Sequence, residues 1–208
     1  MPEVPLLSDP ADLAKVGILK LPLPPNIDWL SWARRLSQPT LDNFAFEADG
    51  EYAFYRNIME ETDFPFTDIP NSIDPQLLGL SSWHELRLDD AFCVHYHQDQ
   101  EDTSGAKHTD PSDVTINMCL EKTPETVGSH VLFYGQRSFP SHHNNGTQPK
   151  EDNFCVVQEP GYMTIHAGDH AHETLPLEKG QRTNIILTYW FRDKSKSGAA
   201  SRTCYFPS

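Results

Sequence analysis

The sequence predicts a mainly β fold with flanking helices, organised around an antiparallel β-sandwich or jelly-roll core. From about residue 91 onward, β-branched and aromatic residues recur in short segments that are separated by clusters of turn residues. No helical run interrupts this succession, as one would in a parallel α/β sheet. The predicted strands are 91–96, 114–120, 130–134, 154–158, 161–166 and 184–191.

The first 87 residues have a different texture, and we expect them to buttress the β core with helical and irregular structure. Residues 1–25 are rich in proline and are expected to be irregular. Apolar spacing predicts a helix over about 26–36, and alternation of aromatic with smaller residues indicates a strand over 52–58. A second helix is predicted over 74–86, because a proline in the first turn of a helix costs little.

A chain of 208 residues is long enough for one well-buried domain and too short for two ordinary ones. We therefore predict a single domain over 1–208, in which the buttress spans 1–87 and the β core spans 88–192. The remaining tail, 193–208, begins with lysine, serine and glycine and is expected to be poorly ordered. The sequence does not predict an oligomeric state.

The net charge of −14 argues against a nucleic-acid partner, since non-specific binding there depends on Lys and Arg that displace counterions. The chain shows no secretory leader and no run of about 18 apolar residues that would span a membrane. Its four cysteines lack the spacing of a zinc site or a disulfide framework. A cytoplasmic or nuclear location with reduced thiols is the simplest expectation.

The chemistry is predicted to lie in the β half, where His108-Thr-Asp110 places an imidazole and a carboxylate two residues apart. Alternate residues of an extended segment point the same way, so this pair offers two metal ligands from one strand. Two imidazoles and one carboxylate, with open positions opposite them, form the donor set of non-haem Fe(II) oxygenases. The third ligand must come from a later strand. We assign it to His172, with His170 as the alternative.

Arg182 follows His172 by ten positions and suits a co-substrate that chelates the iron. If 2-oxoglutarate binds iron through its 1-carboxylate and keto oxygen, its 5-carboxylate needs a fixed cation, and a guanidinium donates two parallel hydrogen bonds to it. Residues 178–180 have the composition of a turn. The metal ligand and the arginine are therefore predicted on neighbouring strands of a hairpin.

Two segments carry a family resemblance. The stretch His108-Thr-Asp-Pro-Ser-Asp-Val-Thr-Ile-Asn-Met-Cys-Leu resembles the His-x-Asp strand of the procollagen lysyl hydroxylases, and His172-Glu-Thr-Leu-Pro-Leu-Glu-Lys-Gly-Gln-Arg182 resembles their second metal-binding segment. The run from Gly161 to Trp190 is also similar to the prolyl/lysyl-hydroxylase-type oxygenase domains of plant and animal proteins. The resemblance covers roughly residues 88–192.

This resemblance implies a double-stranded β-helix, the jelly-roll core of Fe(II)- and 2-oxoglutarate-dependent oxygenases. It implies that His108, Asp110 and His172 bind the iron and that Arg182 anchors 2-oxoglutarate. O2 is then the second co-substrate, and ascorbate is a candidate supporting reductant. Gly128-Ser129 stands where the family often has two glycines, and residues 98–107 are unusually acidic, which bears on the substrate rather than on the metal ligands.

Subsidiary roles follow from the same resemblance. Tyr96 stands where such domains often carry a tyrosine on the strand before His-x-Asp, and its hydroxyl is expected to reach the co-substrate. Thr115, Asn117 and Cys119 alternate along one strand, so they share a face that we expect to look into the pocket. Asn117 is the best polar candidate for contact with 2-oxoglutarate. Tyr96 and Asn117 would equally serve packing and hydrogen bonding alone, and His166 is expected to be a structural histidine.

The resemblance implies an enzyme that hydroxylates a C–H bond and releases succinate and CO2. A protein lysyl or prolyl side chain is the leading substrate, and a small molecule is the other candidate. Two alternative functions remain: a β-sandwich module that senses ligands or partners without turnover, and a Zn-dependent hydrolase, for which two histidines and a carboxylate would also suffice.

Overall fold

The computed structural model describes residues 4–38, 44–46, 52–137 and 152–197. Within these ranges the chain forms two antiparallel sheets that face each other, with helices packed around them. The strands are β1 (Leu6–Leu7), β2 (Leu19–Pro22), β3 (Phe44–Phe46), β4 (Tyr52–Asn57), β5 (Leu86–His97), β6 (Gly105–His108), β7 (Val114–Lys122), β8 (Val127–Gly128), β9 (Val131–Phe133), β10 (Phe154–Val156), β11 (Tyr162–Ala167), β12 (His172–Thr174), β13 (Leu177–Lys179) and β14 (Gln181–Phe191).

The larger sheet has the order β2-β11-β7-β14-β5-β4-β3, and the smaller has the order β1-β10-β9-β12-β6. A two-stranded ribbon of β8 and β13 lies apart from both. Neighbouring strands are antiparallel throughout, except where β1 runs parallel to β10. The predicted mainly β, jelly-roll fold is therefore confirmed.

Alternation along β7 separates the core from the interior cavity. Ile116 and Met118 are fully buried in the main hydrophobic core, together with Ala33 and Leu36 of helix α2 (Trp29–Leu36). Because successive side chains of a strand point to opposite faces, the residues between them are directed at the smaller sheet. Helix α2 thus covers one face of the large sheet, and the other face is left to form a site.

The N-terminal part contributes more regular structure than the sequence predicts. The expected irregular segment contains helix α1 (Pro10–Lys15) and two strands, β1 and β2, which widen the two sheets. The helix predicted over 26–36 is present as α2, whose first turn is capped by the side chain of Asp28. A further short helix, α3, spans Asp68–Asn71.

The single helix predicted over 74–86 is wrong. The chain instead forms two 3-10 turns, Pro75–Leu78 and Trp83–Glu85, and then enters β5. Gly79 ends the first turn with a φ of 64°, a left-handed conformation that glycine adopts at little cost. A capping box between Ser82 and Glu85 then begins the second turn.

No helix among the described residues is both long and apolar enough to cross a membrane. The part of the tail beyond residue 197 lies outside the described residues, and the division of the chain at residues 87 and 192 stays a prediction.

Candidate metal centre and cavity

A cavity of about 220 Å³ lies between the two sheets. Its polar residues come from strands of both sheets and from one loop, and they include all six residues that the sequence predicts for the site. These are Tyr96, His108, Asp110, Asn117, His172 and Arg182. An apolar wall is formed by Phe92, Val94, Val131 and Ile186, with Tyr55 stacked on Phe92 at a ring-centroid distance of 4.5 Å.

Three donor residues converge at one end of the cavity. His108, at the end of β6, and His172, at the start of β12, are direct partners in the pairing of these strands. Asp110 follows two residues later in a loop, where its N–H donates to the carbonyl of Gly168 at 2.8 Å. One donor atom from each of the three lies within 4.8 Å of the other two. The structure thus brings the three predicted ligands together.

The backbone orients both imidazoles. Nδ1 of His108 lies 2.7 Å from the carbonyl oxygen of Ala106, and Nδ1 of His172 lies 2.9 Å from that of His170. A carbonyl only accepts hydrogen bonds, so each Nδ1 carries a proton, and Nε2 is the nitrogen that is left to face a metal. These Nε2 atoms lie 3.5 Å and 3.9 Å from Oδ1 of Asp110.

The protonation states also suit a metal. Burial lowers the pKa of His172 to about 4, so its imidazole is neutral near pH 7. Burial alone would raise the pKa of Asp110, but the neighbouring imidazoles of His108, His172 and His166 and the Thr115 hydroxyl bring it well below its ordinary value. The hydroxyl of Thr115 donates to Oδ2 of Asp110 at 2.6 Å, leaving Oδ1 toward the two imidazoles. Two imidazoles and one carboxylate fit a divalent iron.

Arg182 lies at the other end of the cavity and is only 2% exposed. Its NH1 donates to the carbonyl of Ser129, and its guanidinium carbon lies 5.2 Å from the centre of the Tyr96 ring. Its Nε has no hydrogen-bond partner among the described residues. A buried guanidinium with donors to spare can bind a carboxylate that enters the cavity.

The predicted hairpin between His172 and Arg182 is wrong. His172 belongs to the smaller sheet, whereas Arg182 lies in β14 of the larger one. Between them, β13 leaves to pair with β8, and Gly180 turns the chain into β14 with a φ of 83°. The cation and the metal ligand therefore face the cavity from opposite sheets.

Tyr96 and Asn117 line the cavity, but both already have hydrogen-bond partners. The Tyr96 hydroxyl donates to the carbonyl of Ser104 at 3.0 Å. Oδ1 of Asn117 accepts from Nδ2 of Asn184 at 2.6 Å, and the same Nδ2 contacts Oε1 of Gln158 at 3.0 Å. A role of either side chain toward a co-substrate stays a prediction. Of the strand face expected to look into the pocket, Thr115 and Asn117 line the cavity.

Sequence reasoning missed Asn184 and the contact between Thr115 and Asp110. Asn184 follows Arg182 by two positions in the same strand, so alternation places both on one face, and this signal was available. The Thr115 contact depends on the loop that follows Asp110, for which no pattern exists.

The structure separates the two histidines between which the sequence left the third ligand open. Nε2 of His170 lies 2.8 Å from the carbonyl oxygen of Gly135, and its Nδ1 is buried without a hydrogen-bond partner among the described residues. Its ring therefore faces away from Asp110. His172, and not His170, stands with His108 and Asp110.

Known proteins resemble this chain in sequence. No family model matches the chain. The chain is 27% identical over 156 residues to the 2-oxoglutarate and iron-dependent oxygenase domain-containing protein ICU11 of Arabidopsis thaliana, a match that covers 75% of this chain and 36% of the relative. It is 34% identical over 102 residues to the similarly named protein CP2 of the same plant, which covers 49% of this chain and 24% of that protein. The resemblance to this group of oxygenases is confirmed.

Solved structures of 2-oxoglutarate oxygenases share the fold. An oxidoreductase of the 2OG-Fe(II) oxygenase family from Burkholderia pseudomallei has a TM-score of 0.60 at 13% identity, covering 91% of this chain and 95% of that one. The carbocyclase SnoK from nogalamycin biosynthesis has a TM-score of 0.61 at 11% identity, covering 85% and 80%. A viral collagen prolyl hydroxylase from Paramecium Bursaria Chlorella virus-1 has a TM-score of 0.53 at 12% identity, covering 83% and 94%.

The chain thus has the fold of the 2-oxoglutarate oxygenases. The curated relatives that carry iron and 2-oxoglutarate in their names are much longer than the segment they share with it.

Proposed function

We propose that this protein is an Fe(II)- and 2-oxoglutarate-dependent dioxygenase that hydroxylates a C–H bond of a protein lysyl or prolyl side chain. The proposal rests on two different features at opposite ends of one cavity. Three metal donors, His108, Asp110 and His172, stand at one end, and the buried cation Arg182 stands at the other. A metal site alone would not need that cation.

Each residue then has a defined task. His108 and His172 through Nε2 and Asp110 through Oδ1 would hold Fe(II), and Arg182 would bind the 5-carboxylate of 2-oxoglutarate through its remaining N–H donors. When bound, iron and 2-oxoglutarate supply the oxidation of a C–H bond by O2, with release of succinate and CO2. Thr115 keeps the second oxygen of Asp110 occupied, so the carboxylate presents its first oxygen to the metal.

Succinate formation tests the reaction. Purified protein is incubated with Fe(II), 2-oxoglutarate, O2 and ascorbate, and succinate is measured with and without candidate substrates. We expect succinate from the wild type and none from His108→Ala. A wild-type protein that binds neither iron nor 2-oxoglutarate would overturn the proposal.

Arg182 also separates this proposal from a Zn-dependent hydrolase and from a sensing module. A hydrolase with the same three ligands has no use for a buried cation at the far end of its cavity. Hydrolytic activity that survived Arg182→Ala would favour the hydrolase. Binding of 2-oxoglutarate without succinate formation, under any substrate condition, would favour the sensing module.

The rim of the cavity supports a side chain that is apolar along its length and polar at its tip. Tyr55 and Phe92 offer stacked aromatic faces, and the Tyr55 hydroxyl donates to Oδ2 of Asp90 at 3.4 Å. A lysyl ammonium would find the Asp90 carboxylate, whereas a prolyl ring would pack on the aromatic pair alone. The viral protein of similar fold is a collagen prolyl hydroxylase by name, and SnoK is a carbocyclase from nogalamycin biosynthesis. The fold alone therefore does not choose between a protein substrate and a small molecule.

Matched peptides decide between these substrates. Two peptides that differ only in a central lysine or proline are incubated with the enzyme, and mass spectrometry reports the addition of one oxygen atom. Asp90→Asn is expected to reduce turnover of the lysyl peptide and to leave a prolyl peptide unaffected. Oxygen added to neither peptide, with succinate still formed from a small molecule, would contradict a protein substrate.

A further inference from the structure

A chain of three side-chain amides joins the two sheets near Arg182. Asn184 lies in β14 two residues after Arg182, Asn117 lies in the neighbouring strand β7, and both line the cavity. Gln158 follows β10 of the smaller sheet. Nδ2 of Asn184 donates to Oδ1 of Asn117 at 2.6 Å and to Oε1 of Gln158 at 3.0 Å. Asn184 is therefore the central member of the chain.

The direction of these hydrogen bonds determines which end of each amide is left for other partners. An amide NH2 group has two hydrogens, and both hydrogens of Asn184 are used. Asn117 and Gln158 each turn their oxygen toward Asn184, so each turns its nitrogen away from it. Nδ2 of Asn117 makes no hydrogen bond to any described residue. Asn117 is thus a cavity-lining residue with N–H donors to spare.

The two residues that orient Asn117 are buried. Asn184 is 1% exposed and Gln158 is 3% exposed. Oδ1 of Asn184 and Nε2 of Gln158 are both buried without a hydrogen-bond partner among the described residues. Leaving buried polar atoms unpaired costs folding free energy, and apolar side chains of similar shape would join the two sheets without that cost. Packing between the sheets therefore does not account for these amides.

The position of Asn117 in β7 lies between the two ends of the cavity. Thr115, two residues earlier on the same face, contacts Asp110 at the metal end, and Lys122, later in the strand, is the pairing partner of Arg182. A ligand that reaches from the metal donors to Arg182 passes Asn117. A dicarboxylate such as 2-oxoglutarate offers oxygen acceptors at both of its ends, which suits an amide with unused hydrogens.

We infer that Asn184 and Gln158 are positioning residues, which hold the Asn117 amide so that its NH2 group donates to 2-oxoglutarate. The inference rests on the proposed function, because that function supplies the acceptor. Asn184 acts on the co-substrate only through Asn117, and Gln158 acts only through Asn184. Without the chain, the Asn117 amide has two orientations of similar energy, and one of them presents its oxygen to an anion.

Calorimetry of 2-oxoglutarate binding to the full-length, Co2+-loaded protein tests the inference. Co2+ is the probe metal, since it occupies iron sites and is stable in air. Asn117→Ala removes the donor, and Asn184→Leu keeps the branched shape of the side chain while it removes both hydrogen bonds. A double variant combines the two changes. Thr164→Val is the matched control, because it removes a contact to the backbone carbonyl of Asn117 and leaves the amide unchanged.

Asn117→Ala should weaken 2-oxoglutarate binding about 10-fold, which corresponds to one hydrogen bond to a charged group. Asn184→Leu should weaken it severalfold. In the double variant, Asn184→Leu should cause no loss beyond that of Asn117→Ala, because its effect depends on the missing amide. Co2+ affinity should equal that of the wild type in all of these proteins, and Thr164→Val should bind 2-oxoglutarate as the wild type does.

Thermal unfolding of each metal-free variant establishes that it is folded. If Asn184→Leu does not fold, Gln158→Met replaces it, and we expect a smaller loss with the same dependence on Asn117. Losses that multiply in the double variant, as a general distortion of the cavity would cause, would overturn the inference. Wild-type 2-oxoglutarate affinity in Asn117→Ala would overturn it too. A wild type that binds Co2+ but no 2-oxoglutarate would instead contradict the proposed function itself.

Discussion

At the metal end of the cavity, the three donors come from the edge strand β6, the loop that follows it and the short strand β12. The cation at the other end belongs to β14, which is paired on both sides, by β5 and by β7. Exposure follows the same division. The His108 side chain is 50% exposed, and Arg182 is 2% exposed. The difference indicates that the metal end is open to solvent at His108, while the other end carries a buried, fixed charge.

The largest effect is expected at the metal end. Asp110→Asn removes the charge that Nε2 of His108 and of His172 face, so Co2+ affinity should fall by more than about 100-fold, beyond the range of losses caused by residues that only support ligands. Isothermal titration measures it. Asp99→Asn, in an exposed loop, is the control and should bind as the wild type. An Asp110→Asn protein that retained wild-type affinity would show that the carboxylate is not a ligand.

The fixed charge at the other end predicts a different loss. Arg182→Gln should weaken 2-oxoglutarate binding about 100-fold, or ~3 kcal/mol, because two charged hydrogen bonds disappear. Its Co2+ affinity should stay unchanged, which separates the two ends. Arg192→Gln, at the exposed end beyond β14, is the matched control. Equal 2-oxoglutarate affinity in Arg182→Gln and wild type would show that Arg182 does not bind the co-substrate.

A buried histidine on the face of β5 opposite the cavity allows a prediction that involves no ligand. His95 is buried there with Nδ1 2.9 Å from the Thr183 hydroxyl, and burial, followed by the nearby His97, lowers its pKa to about 4. Its folded-state pKa lies below the unfolded value, so its contribution to stability is present above about pH 6.5 and is lost as the pH falls toward 4. The metal-free wild type should lose about 2 kcal/mol from this group between pH 7 and pH 5.

Urea unfolding at the two pH values measures that loss. His95→Gln should lose less stability than the wild type over this interval, while the exposed His84→Gln should follow the wild type. Parallel losses in all three proteins would mean that His95 does not titrate in this range.

The smallest effect is expected from the residue that supports the metal ligand. Thr115→Val removes the hydroxyl that donates to Asp110 while it keeps the shape of the side chain, and should weaken Co2+ binding about 10-fold. Thr164→Val is the control, because Thr164 is buried in the neighbouring strand and contacts the backbone at Asn117. A Thr115→Val protein with wild-type metal affinity would show that the hydrogen bond from Thr115 to Asp110 does not support metal binding.

Most of the β core was predictable from the sequence, because its long strands have side chains of clear alternation. Strands β5, β7, β9, β10, β11 and β14 lie where they were predicted, with ends displaced by a few residues. Strands of two to four residues are too short to show a period. Among these, β9 and β10 were predicted from their β-branched and aromatic residues, whereas β1, β6 and β12 were not predicted. Their positions are set by partners that lie far away in the chain.

The candidate site was predictable in its residues but less so in its geometry. His108, Asp110, His172 and Arg182 meet in one cavity as expected, since their types and intervals are an improbable combination. The hairpin was wrong because the ribbon partner of β13, at residues 127–128, has no sequence signal that would identify it. His166 lies beside Asp110, with Nε2 3.9 Å from Oδ2, and its expected structural role stays a prediction.

The turn at Gly128 and Ser129 determines which substitutions these two positions tolerate. Arg182 is held by the carbonyl of Ser129, and a backbone acceptor survives any substitution at that position. Ser129 has a φ of 58°, a conformation that costs a residue other than glycine on the order of 1 kcal/mol, so a glycine there would be tolerated. At Gly128 any side chain would meet the carbonyl oxygen of Pro176 at 2.3 Å. Descendants of this chain can therefore vary at one of the two positions and not at the other, while the arginine keeps its place.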